Sequence, residues 1–287
     1  MSISIAYLGP PGTYAEAAAL AYVRTLERET GGDYRLCPYP SIAQTVQAIA
    51  KQQVDLAVVP VENSIEGSVT ITLDRLWQLD TLQIQQALVL PIRHTLLSRA
   101  SNLEVIQTIY SHPQALAQCQ GWLEKFLPWV KQIPTNSTTE ALQYLDKDHT
   151  AGAIASGRAA QLYNLPILAS AINDYPDNST RFWVLSNQPS SGGSHTSLAF
   201  SLPANVPGVL VKPLQVFATR GINMSRIESR PTKRSLGEYL FFIDIEADAS
   251  QEFVQAALSE LASHTEILKS FGSYNVLTID FVSVVNS

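Results

Sequence analysis

The sequence predicts an α/β protein built of two domains. Before residue 187, apolar strand-like runs alternate with polar loops and helical patterns, which is the order typical of an α/β fold. Residues 187–194 are turn-forming and flexible and lie between two apolar runs, so they indicate a linker. The 287 residues, of which 46% are hydrophobic, suffice for two cores. We therefore expect a first domain over residues 1–186 and a second over residues 195–287.

The first domain is expected to consist of two lobes. Four apolar runs are interpreted as strands that each lead into a polar loop and a helix: SISIAYLG, DLAVVPV, IQTIYS and TAGAIAS. The segment TLQIQQALVLP, which starts at residue 81, is interpreted as a strand that leads the chain into a second lobe. This lobe is expected to cover about residues 81–170.

The second domain has the element order of a small sandwich. Strands are expected at residues 195–202, 223–230 and 237–246 and at the end of the chain, and helices at residues 207–219 and 250–263. Leu210, Leu214 and Phe217 share one face of the first helix. This βαββαβ order predicts a ferredoxin-like domain of the kind found in regulatory modules.

Composition excludes several classes of function. A formal net charge of −6 argues against general binding to nucleic acid or to an anionic membrane. No apolar run approaches the length of a membrane span and MSISIAYLG has no basic leader, so the expected location is cytoplasmic. Cys37 and Cys119 lie far apart and without metal-ligand spacing, so neither a disulfide nor a metal site is expected.

Four loops of the first domain place small or hydroxyl-bearing residues where a helix is expected to begin. They are GPPGTY, VENSIEGS, YSHPQ and ASGRAA, which start at residues 9, 61, 110 and 155. Helix N-termini present unsatisfied N–H groups and a partial positive charge, so several that converge on one cleft can hold a carboxylate without lysine. GPPGTY lacks the Gly-Lys-Ser/Thr ending of a phosphate loop, which argues against nucleotide binding. The expected ligand is a small organic anion.

Each of these loops also has a purely structural interpretation. Gly12 and Thr13 suit a turn and a helix N-cap, and Asn63 and Ser64 suit capping equally well. Glu62 is harder to explain as a cap, because it follows an apolar strand at a position that faces the ligand crevice in open α/β sheets.

The YSHPQ and DNSTRFWVL segments leave similar alternatives open. Ser111 is a natural N-cap, and Gln114 and Gln118 lie four residues apart on one helix face. His112, beside a proline, fits a hydrogen-bonded structural histidine, and no catalytic triad can be built around it. Thr180 stands where a polar turn meets a buried strand, and it either starts that strand or presents a hydroxyl for chemistry.

Six motifs, taken in order, resemble those of prephenate dehydratase, the enzyme that makes phenylpyruvate in phenylalanine biosynthesis. They are YLGPPGTY, AVVPVENSIEG, YSHPQALAQC, NSTTEAL, NSTRFWVL and IESRP, and they span nearly the whole chain. The resemblance implies a catalytic domain of two α/β lobes, similar to periplasmic-type binding proteins, with the active site in the cleft. It also implies a C-terminal ACT domain that binds L-phenylalanine as a feedback inhibitor and forms homodimers or homotetramers.

The resemblance also assigns residues to the site. Thr180 of the Thr-Arg-Phe motif is the residue most directly tied to catalysis. The other catalytic candidates are Glu62, Asn63 and Gln118. The candidates for substrate binding are Thr13, Ser64, Ser111, His112, Arg181 and Phe182.

Effector binding is assigned to two segments that belong to neighbouring ACT modules. One supplies Gly208, Val209 and Leu210, where the family's usual Gly-Ala-Leu turn reads Gly-Val-Leu. The other supplies Asn223, Met224, Glu228, Ser229 and Arg230. The alternative for the second segment is a strand that simply ends at a proline.

Prephenate carries two carboxylates and a ring hydroxyl, and it loses CO2 and water as its ring becomes aromatic. Aromatisation supplies the driving force, so no cofactor, metal or covalent nucleophile is expected. Thr180 is expected to donate a hydrogen bond or a proton to the departing hydroxyl, and Glu62 either resupplies that proton or is a structural partner. Arg181 either pairs with a substrate carboxylate or points the other way and ties the two lobes together.

Two other functions fit parts of the pattern. Arogenate dehydratase uses the amino analogue of prephenate, and the two substrates differ in a few pocket contacts. A non-catalytic amino-acid sensor would also combine two lobes with an ACT module. The joint presence of Thr180, Glu62, Asn63 and Gln118 argues against a sensor, which has no need of that set.

Overall fold

The structure, a computed structural model, describes residues 2–279. The expected second domain extends to residue 287, and its residues 280–287 lie outside the described part. In residues 2–279 no helix combines the length and the apolar composition that crossing a membrane requires.

The secondary structure alternates between strands and helices along the first domain. In chain order the strands are β1 (Ile3–Leu8), β2 (Tyr34–Tyr39), β3 (Leu56–Asn63), β4 (Gly67–Ser68), β5 (Gln83–Pro91), β6 (His94–Ser98), β7 (Thr108–Ser111), β8 (Lys131–Pro134), β9 (Ala151–Ser156), β10 (Ile167–Ala169), β11 (Ser179–Ser186), β12 (His195–Ser201), β13 (Met224–Pro231), β14 (Tyr239–Ile245) and β15 (Ile267–Thr278). The helices are α1 (Tyr14–Thr30), α2 (Ile42–Ala50), α3 (Thr70–Gln78), α4 (Pro113–Ala117), α5 (Gln120–Phe126), α6 (Gly157–Leu162), α7 (Val211–Ala218) and α8 (Glu252–Ser263). Single 3₁₀ turns lie at Leu103–Val105 and Glu140–Tyr144.

The strands form two sheets. Among the described residues, the larger sheet has ten strands in the order β13-β14-β12-β15-β5-β11-β3-β1-β2, with β4 paired to β3. The smaller sheet, in the order β10-β6-β9-β7-β8, forms the second lobe. The chain leaves the first lobe after β5 and returns in β11, which lies between β5 and β3. Two crossings therefore join the lobes, and both lobes line one cleft.

The predicted architecture is confirmed. The first domain is a pair of α/β lobes, and the second follows the order β12-α7-β13-β14-α8-β15, which is the expected βαββαβ sandwich. Two boundaries differ: α7 begins at Val211 and not near residue 207, and the second lobe begins with β6 and not near residue 81, since β5 belongs to the larger sheet. Gly208 has a φ of +78°, a conformation that the interior of a right-handed helix excludes.

Local signals fix both ends of α1, the helix that starts at the cleft. The Oγ1 of Thr13 accepts the N–H of Glu16 at 3.3 Å and donates to the Leu8 carbonyl at 3.0 Å. Thr13 is therefore an N-cap that also ties the helix to β1. At the other end, Gly31 has a φ of +66° and donates its N–H to Glu27, which terminates the helix.

Strand β11 lies at the centre of the first domain's core. Its residues 182–185 are all buried, with the odd-numbered side chains in one apolar cluster and the even-numbered ones in another. This period of two is what a strand needs when both faces of its sheet are covered. Packing on both faces therefore fixes the backbone just before it, where Thr180 and Arg181 lie.

Strand β15 joins the two domains into one continuous sheet. Its first part pairs with β12 in the second domain, and its residues Asn275 to Thr278 pair in parallel with β5 in the first. The segment expected to be the linker passes close to β15, since a Cβ on Gly193 would lie 2.1 Å from the carbonyl carbon of Tyr274. Only glycine allows that approach.

The GPPGTY loop links the two lobes. The Gly12 carbonyl accepts the Ser156 hydroxyl at 2.7 Å, and the Gly12 N–H donates to Glu16 Oε2 at 2.7 Å. That same carboxylate oxygen lies 3.4 Å from Nε of Arg158 at the start of α6. Gly12 has a φ of +90°, and a Cβ there would lie 2.7 Å from Cγ2 of Thr139 in the second lobe.

We expect Gly12→Ala to lower the free energy of unfolding by roughly 3 kcal/mol, through positive-φ strain and overpacking between the lobes. Gly31→Ala is the matched control, because its φ is also positive but an added Cβ meets nothing within 4 Å. That variant is expected to lose about 1 kcal/mol. Urea unfolding measures both, and equal losses would contradict the steric role of Gly12.

Candidate active site

A cleft of about 840 Å³ lies between the two lobes. The first lobe contributes the GPPGTY loop, residues 38–42, β3 and β11. The second lobe contributes His94, residues 112–118 and residues 136–138. Among the described residues that line it, none is Lys, Arg, Asp or Glu, so their polar groups are hydroxyls, amides, imidazoles and backbone.

A β-bulge decides which side chains of β3 face this cleft. The register pairs Thr180 with Asn63, Arg181 with Glu62 and Phe182 with Pro60. Val61 is therefore an extra residue, and the alternation of β3 changes phase there. As a result Pro60 and Asn63, three residues apart, both line the cleft together with Thr180 and Phe182.

Two backbone N–H groups fix the orientation of the Asn63 carboxamide. Its Oδ1 accepts the N–H groups of Ile65 at 3.0 Å and Glu66 at 3.1 Å. Since that oxygen is the acceptor, Nδ2 is the donor, and it lies 2.9 Å from Thr180 Oγ1 and 2.9 Å from Asn178 Oδ1. The sequence Asn63-Ser64-Ile65-Glu66 thus forms a turn that aims an amide donor at a hydroxyl.

The orientation of Asn63 sets the next two amides in turn. Asn178 accepts with Oδ1, so its Nδ2 donates to Gln118 Oε1 at 2.9 Å. Gln118 then donates with Nε2 to Glu66 Oε1 at 3.3 Å. We call Asn63, Asn178 and Gln118 the amide chain. All three are buried, and every amide in the chain both donates and accepts.

The amide chain also sets the tautomer of His94. Its Nε2 lies 3.0 Å from Gln118 Oε1, a carbonyl oxygen that can only accept, so Nε2 carries a proton. Its Nδ1 lies 3.0 Å from the Tyr14 hydroxyl at the start of α1. Burial lowers the pKa of His94, which favours the neutral ring. The Tyr14 hydroxyl also donates to the Arg93 carbonyl at 2.9 Å. Burial likewise raises the pKa of Tyr14, which keeps its hydroxyl protonated.

Thr180 ends the amide chain with its hydroxyl proton available. The side chain lines the cleft and its oxygen accepts from Asn63. Among residues 2–279, no acceptor is found for the hydroxyl proton of Thr180. The hydroxyl can therefore donate to a group bound in the cleft. A threonine that only began a strand would not need this free donor.

Two of the other predicted substrate contacts lie at the cleft and are also caps. Thr13 caps α1, and the N–H groups of Tyr14 and Ala15 in its first turn lack intrahelical acceptors. His112 caps α4, since its Nδ1 accepts the N–H of Gln114 at 3.2 Å. Burial lowers the pKa of His112, while the nearby Glu66 carboxylate opposes that shift. Thr13 and His112 therefore each cap a helix and also line the cleft.

Ser64 and Ser111 do not line the cleft. The Ser111 hydroxyl is buried and donates to the Ile154 carbonyl at 2.6 Å, which ties β7 to β9. The Ser64 hydroxyl accepts the N–H of Ser179 at 3.0 Å and lies 3.4 Å from Asn178 Oδ1. Both serines brace the backbone on which neighbouring cleft residues stand.

Glu62 and Arg181 lie on the opposite side of the sheet from Thr180. The Arg181 guanidinium is 3.7 Å from Glu62 Oε2 and 3.3 Å from Oδ2 of Asp244, a residue of the second domain. The Val61 bulge explains the position of Glu62, and strand alternation explains that of Arg181. Arg181 thus points away from the cleft, but its ion pairs join the first domain to the second and not the two lobes to each other.

The predicted effector residues are divided between two environments. Gly208 to Leu210 form the turn before α7, Met224 begins β13 and Asn223 directly precedes that strand. Within β13, Glu228 accepts the Ser68 hydroxyl at 3.0 Å and Arg230 pairs with Asp74 at 3.2 Å, both in the first domain. Ser229, between them, is exposed.

Sequence reasoning did not select His94, Tyr14, Glu66 or Asn178. His94 offered a signal, because it is the polar residue at the start of the apolar run HTLL. Asn178 offered a weaker one, as part of a polar turn that runs into a buried strand. The hydrogen bonds that connect them join residues 24 to 117 positions apart, which no local pattern records.

Comparison with known proteins identifies the family. A family model described as prephenate dehydratase matches residues 5–190, and one described as ACT domain matches residues 196–262. The chain belongs to the prephenate dehydratase family. Its members are lyases of phenylalanine biosynthesis, and the resemblance seen in the motifs is confirmed.

Similar relatives cover nearly the whole chain. The bifunctional chorismate mutase/prephenate dehydratase of Aquifex aeolicus is 41% identical over 95% of this chain and 73% of its own length. The prephenate dehydratase of Lactococcus lactis subsp. cremoris is 37% identical over 96% of this chain and 99% of its own. The crystal structure of prephenate dehydratase from Arthrobacter aurescens in complex with L-Phe superposes with a TM-score of 0.84, at 34% identity over 95% of this chain and 90% of its own.

The pKa of His94 makes a prediction about stability and pH. In the unfolded chain a histidine has a pKa of about 6.5, and burial lowers the pKa of His94 in the folded chain. As the pH falls below about 6.5 the unfolded state therefore binds more protons, so the folded state loses stability. We expect the free energy of unfolding to fall less steeply from pH 7 to pH 5 in His94→Asn than in the wild type.

Urea unfolding of both proteins at several pH values measures this difference. Burial also lowers the pKa of His112, but its contribution to the pH dependence is present in both proteins and cancels in the difference. A wild-type minus variant difference that is constant with pH would contradict a buried neutral His94.

Proposed function

We propose that the chain converts prephenate to phenylpyruvate with Thr180 as hydrogen-bond donor to the departing hydroxyl, and that L-phenylalanine inhibits this reaction through the ACT domain. One observation carries the catalytic part. The Thr180 oxygen accepts from Asn63 at 2.9 Å, which leaves the hydroxyl proton available to a group in the cleft, whose described lining carries no charged side chain. Family membership supplies the reaction class.

The reaction needs a donor and a rigid geometry more than it needs a strong acid. The bond to the departing carboxylate breaks, its electrons form the aromatic ring, and the ring carbon–oxygen bond breaks to release hydroxide, which takes a proton and becomes water. A hydroxyl aimed at that oxygen stabilises the negative charge as it develops. Asn63 assists, because its N–H stabilises the partial negative charge that Thr180 gains as it donates.

We propose hydrogen bonding by Thr180 and not net proton transfer. A threonine hydroxyl is a very weak acid, and an alkoxide left on Thr180 would need a new proton. Its partner in the amide chain is a carboxamide N–H, which is also a very weak acid. Water in the cleft is the more suitable source of the proton for hydroxide.

We assign Glu62 and Arg181 structural roles, in place of the catalytic and substrate-binding roles that the sequence also left open. Their position behind the sheet supports a structural function, the alignment of β3 with β11, in place of substrate contact. Glu66 is the carboxylate nearest to the amide chain, since Gln118 donates to it at 3.3 Å. We propose that Glu66 fixes the Gln118 amide and so keeps its carbonyl toward Asn178 and His94.

The charge of the cleft supports prephenate over arogenate. Arogenate carries an ammonium in place of the keto group, and burying an ammonium without a counter-charge is costly. Among the described residues that line the cleft none carries a carboxylate, and the nearby Glu66 already accepts from Gln118. The substrate carboxylates instead meet the first turn of α1, whose N–H groups and partial positive charge favour anions.

Regulation, assembly and location form the remaining part of the proposal. The Arthrobacter aurescens relative was crystallised with L-Phe, and an ACT model matches this chain. We propose that L-phenylalanine binds between Gly208–Leu210 of one subunit and Asn223, Met224 and residues 228–230 of another. A homodimer or homotetramer follows from that shared site, and a biosynthetic role supports a cytoplasmic location.

Substitution of Thr180 tests the catalytic part. Thr180→Val keeps the shape but removes the hydroxyl, and we expect kcat to fall on the order of 10²–10³-fold with little change in KM. Thr180→Ser is the matched control and is expected to keep most of the activity. Phenylpyruvate release from prephenate, run in parallel with arogenate, measures both; near-normal kcat in Thr180→Val would refute the mechanism.

Calorimetry tests the regulatory part. We expect L-phenylalanine to bind the wild type and to inhibit turnover, and Asn223→Ala to weaken binding roughly tenfold through loss of a polar contact. Gln255→Ala, exposed on α8 of the same domain, is the control and should bind as the wild type does. No heat of binding and no inhibition in the wild type would exclude this regulation.

A further inference from the structure

Four charged side chains meet where β11 passes the second domain. Glu62 and Arg181 come from the first domain, and Asp244 on β14 and Arg226 on β13 come from the second. We call these four residues the interdomain charge cluster. Asp244 is its centre, with an exposed fraction of 1%, and its Oδ2 lies 3.3 Å from Arg181 Nη1 and 3.4 Å from Arg226 Nη1.

The Asp244 carboxylate is held in one orientation. Its Oδ1 accepts the Ser197 hydroxyl from β12 at 2.6 Å, while Oδ2 faces the two guanidinium groups. A buried carboxylate keeps such partners because an isolated charge at that position would be strongly disfavoured. The position of Asp244 therefore dictates where the Arg181 guanidinium lies.

The cluster holds β11 at two points. Arg181 directly follows Thr180, on the other face of the strand. The Arg226 guanidinium lies over the ring of Trp183, 5.8 Å from its centre. Both contacts come from the second domain and act on the strand that presents Thr180 to the cleft. A shift of the second domain thus reaches the Thr180 backbone through side chains that touch each other.

The cluster also connects to the strand of the expected effector site. Arg226 lies on β13 and donates with Nη2 to the Ser68 hydroxyl at 3.4 Å. The same hydroxyl donates to Glu228 at 3.0 Å, two residues further along β13. A displacement of β13 therefore moves Arg226 and changes the balance of charge around Asp244.

We propose that Asp244, a residue of the ACT domain, is a positioning residue for catalysis: through Arg181 it sets the place of Thr180, and effector binding changes turnover by moving this carboxylate. The regulatory half rests on the proposed inhibition by L-phenylalanine. Effector binding shifts an equilibrium between two arrangements of the domains only if the effector favours one of the two. In this proposal the interdomain charge cluster is the contact whose geometry differs between the two arrangements.

Asp244→Asn tests the proposal on the full-length protein. The substitution keeps the shape and the Ser197 contact but removes the charge that holds Arg181. We expect kcat to fall on the order of tenfold with KM near the wild-type value, because misplacement of a catalytic group affects the transition state most. The L-phenylalanine concentration for half-inhibition is expected to rise on the order of tenfold, whereas calorimetric binding of L-phenylalanine persists.

Asp80→Asn is the matched control. Asp80 forms an ion pair with Lys269 of β15, so it also joins the two domains, but it makes no contact with β11. The same change of charge at that position is expected to leave kcat and half-inhibition as in the wild type. An equal loss in Asp80→Asn would mean that any weakening of the domain contact has this effect, and it would overturn the role of Asp244.

Arg181→Gln covers the case in which Asp244→Asn does not fold. In this variant Asp244 keeps Arg226 and Ser197 as partners, so no buried charge is left alone. We expect the same loss of kcat and of inhibition, partial recovery in Arg181→Lys, and no further loss when Arg181→Gln is combined with Asp244→Asn. Wild-type kcat and wild-type inhibition in folded Arg181→Gln would overturn the proposal.

The wild-type measurements separate this proposal from the proposed function. If the wild type neither binds nor responds to L-phenylalanine, the regulation fails, and the effect of Asp244 on kcat still tests the positioning role. If the wild type is inhibited and both cluster variants are inhibited equally with unchanged kcat, regulation stands and the inference about Asp244 is wrong.

Discussion

The two backbone N–H groups that bind the Asn63 carbonyl oxygen determine the polar structure of the cleft. A carboxamide has one donor end and one acceptor end, so fixing its oxygen against Ile65 and Glu66 fixes its nitrogen against Thr180. Asn178 and Gln118 follow in sequence, and each has one consistent orientation. A buried polar network is favourable only when every member is paired, and here a short turn after β3 imposes that pairing on residues more than a hundred positions away.

The two faces of β11 serve two purposes. Thr180 and Phe182 face the cleft, and Arg181 and Trp183 face the second domain. Charge is confined to the second of these faces, while the cleft side is lined by neutral groups. A neutral, partly apolar cleft strengthens hydrogen bonds to a developing negative charge, because few competing charges or dipoles reorganise around it. The ion pairs on the other face hold the strand without adding a charge beside the departing hydroxyl.

Much of the fold and part of the site were accessible from sequence. Alternating apolar runs predicted the two α/β lobes, the order of elements predicted the βαββαβ domain, and motif order led to Thr180, Asn63 and Gln118. The placement of Glu62 was not accessible from sequence, because it depends on a bulge at Val61. That bulge arises where β3 pairs with β11, and even the nearest partners in sequence, Asn63 and Thr180, are 117 residues apart. For Thr13 the sequence set helix capping against a place in the cleft, and the two are not alternatives. Thr13 caps α1, and the same geometry brings it to the cleft.

The bulge has a consequence for the whole architecture. In a regular β3, Glu62 would share a face with Pro60 and would lie in the cleft, and Asn63 would turn away from Thr180. One extra residue exchanges these positions, so the amide reaches the hydroxyl and the carboxylate joins Arg181 behind the sheet. A carboxylate in the cleft would repel a substrate that carries two of its own. The same local irregularity therefore keeps the cleft suited to a dianion and gives the second domain a charged surface through which it contacts β11.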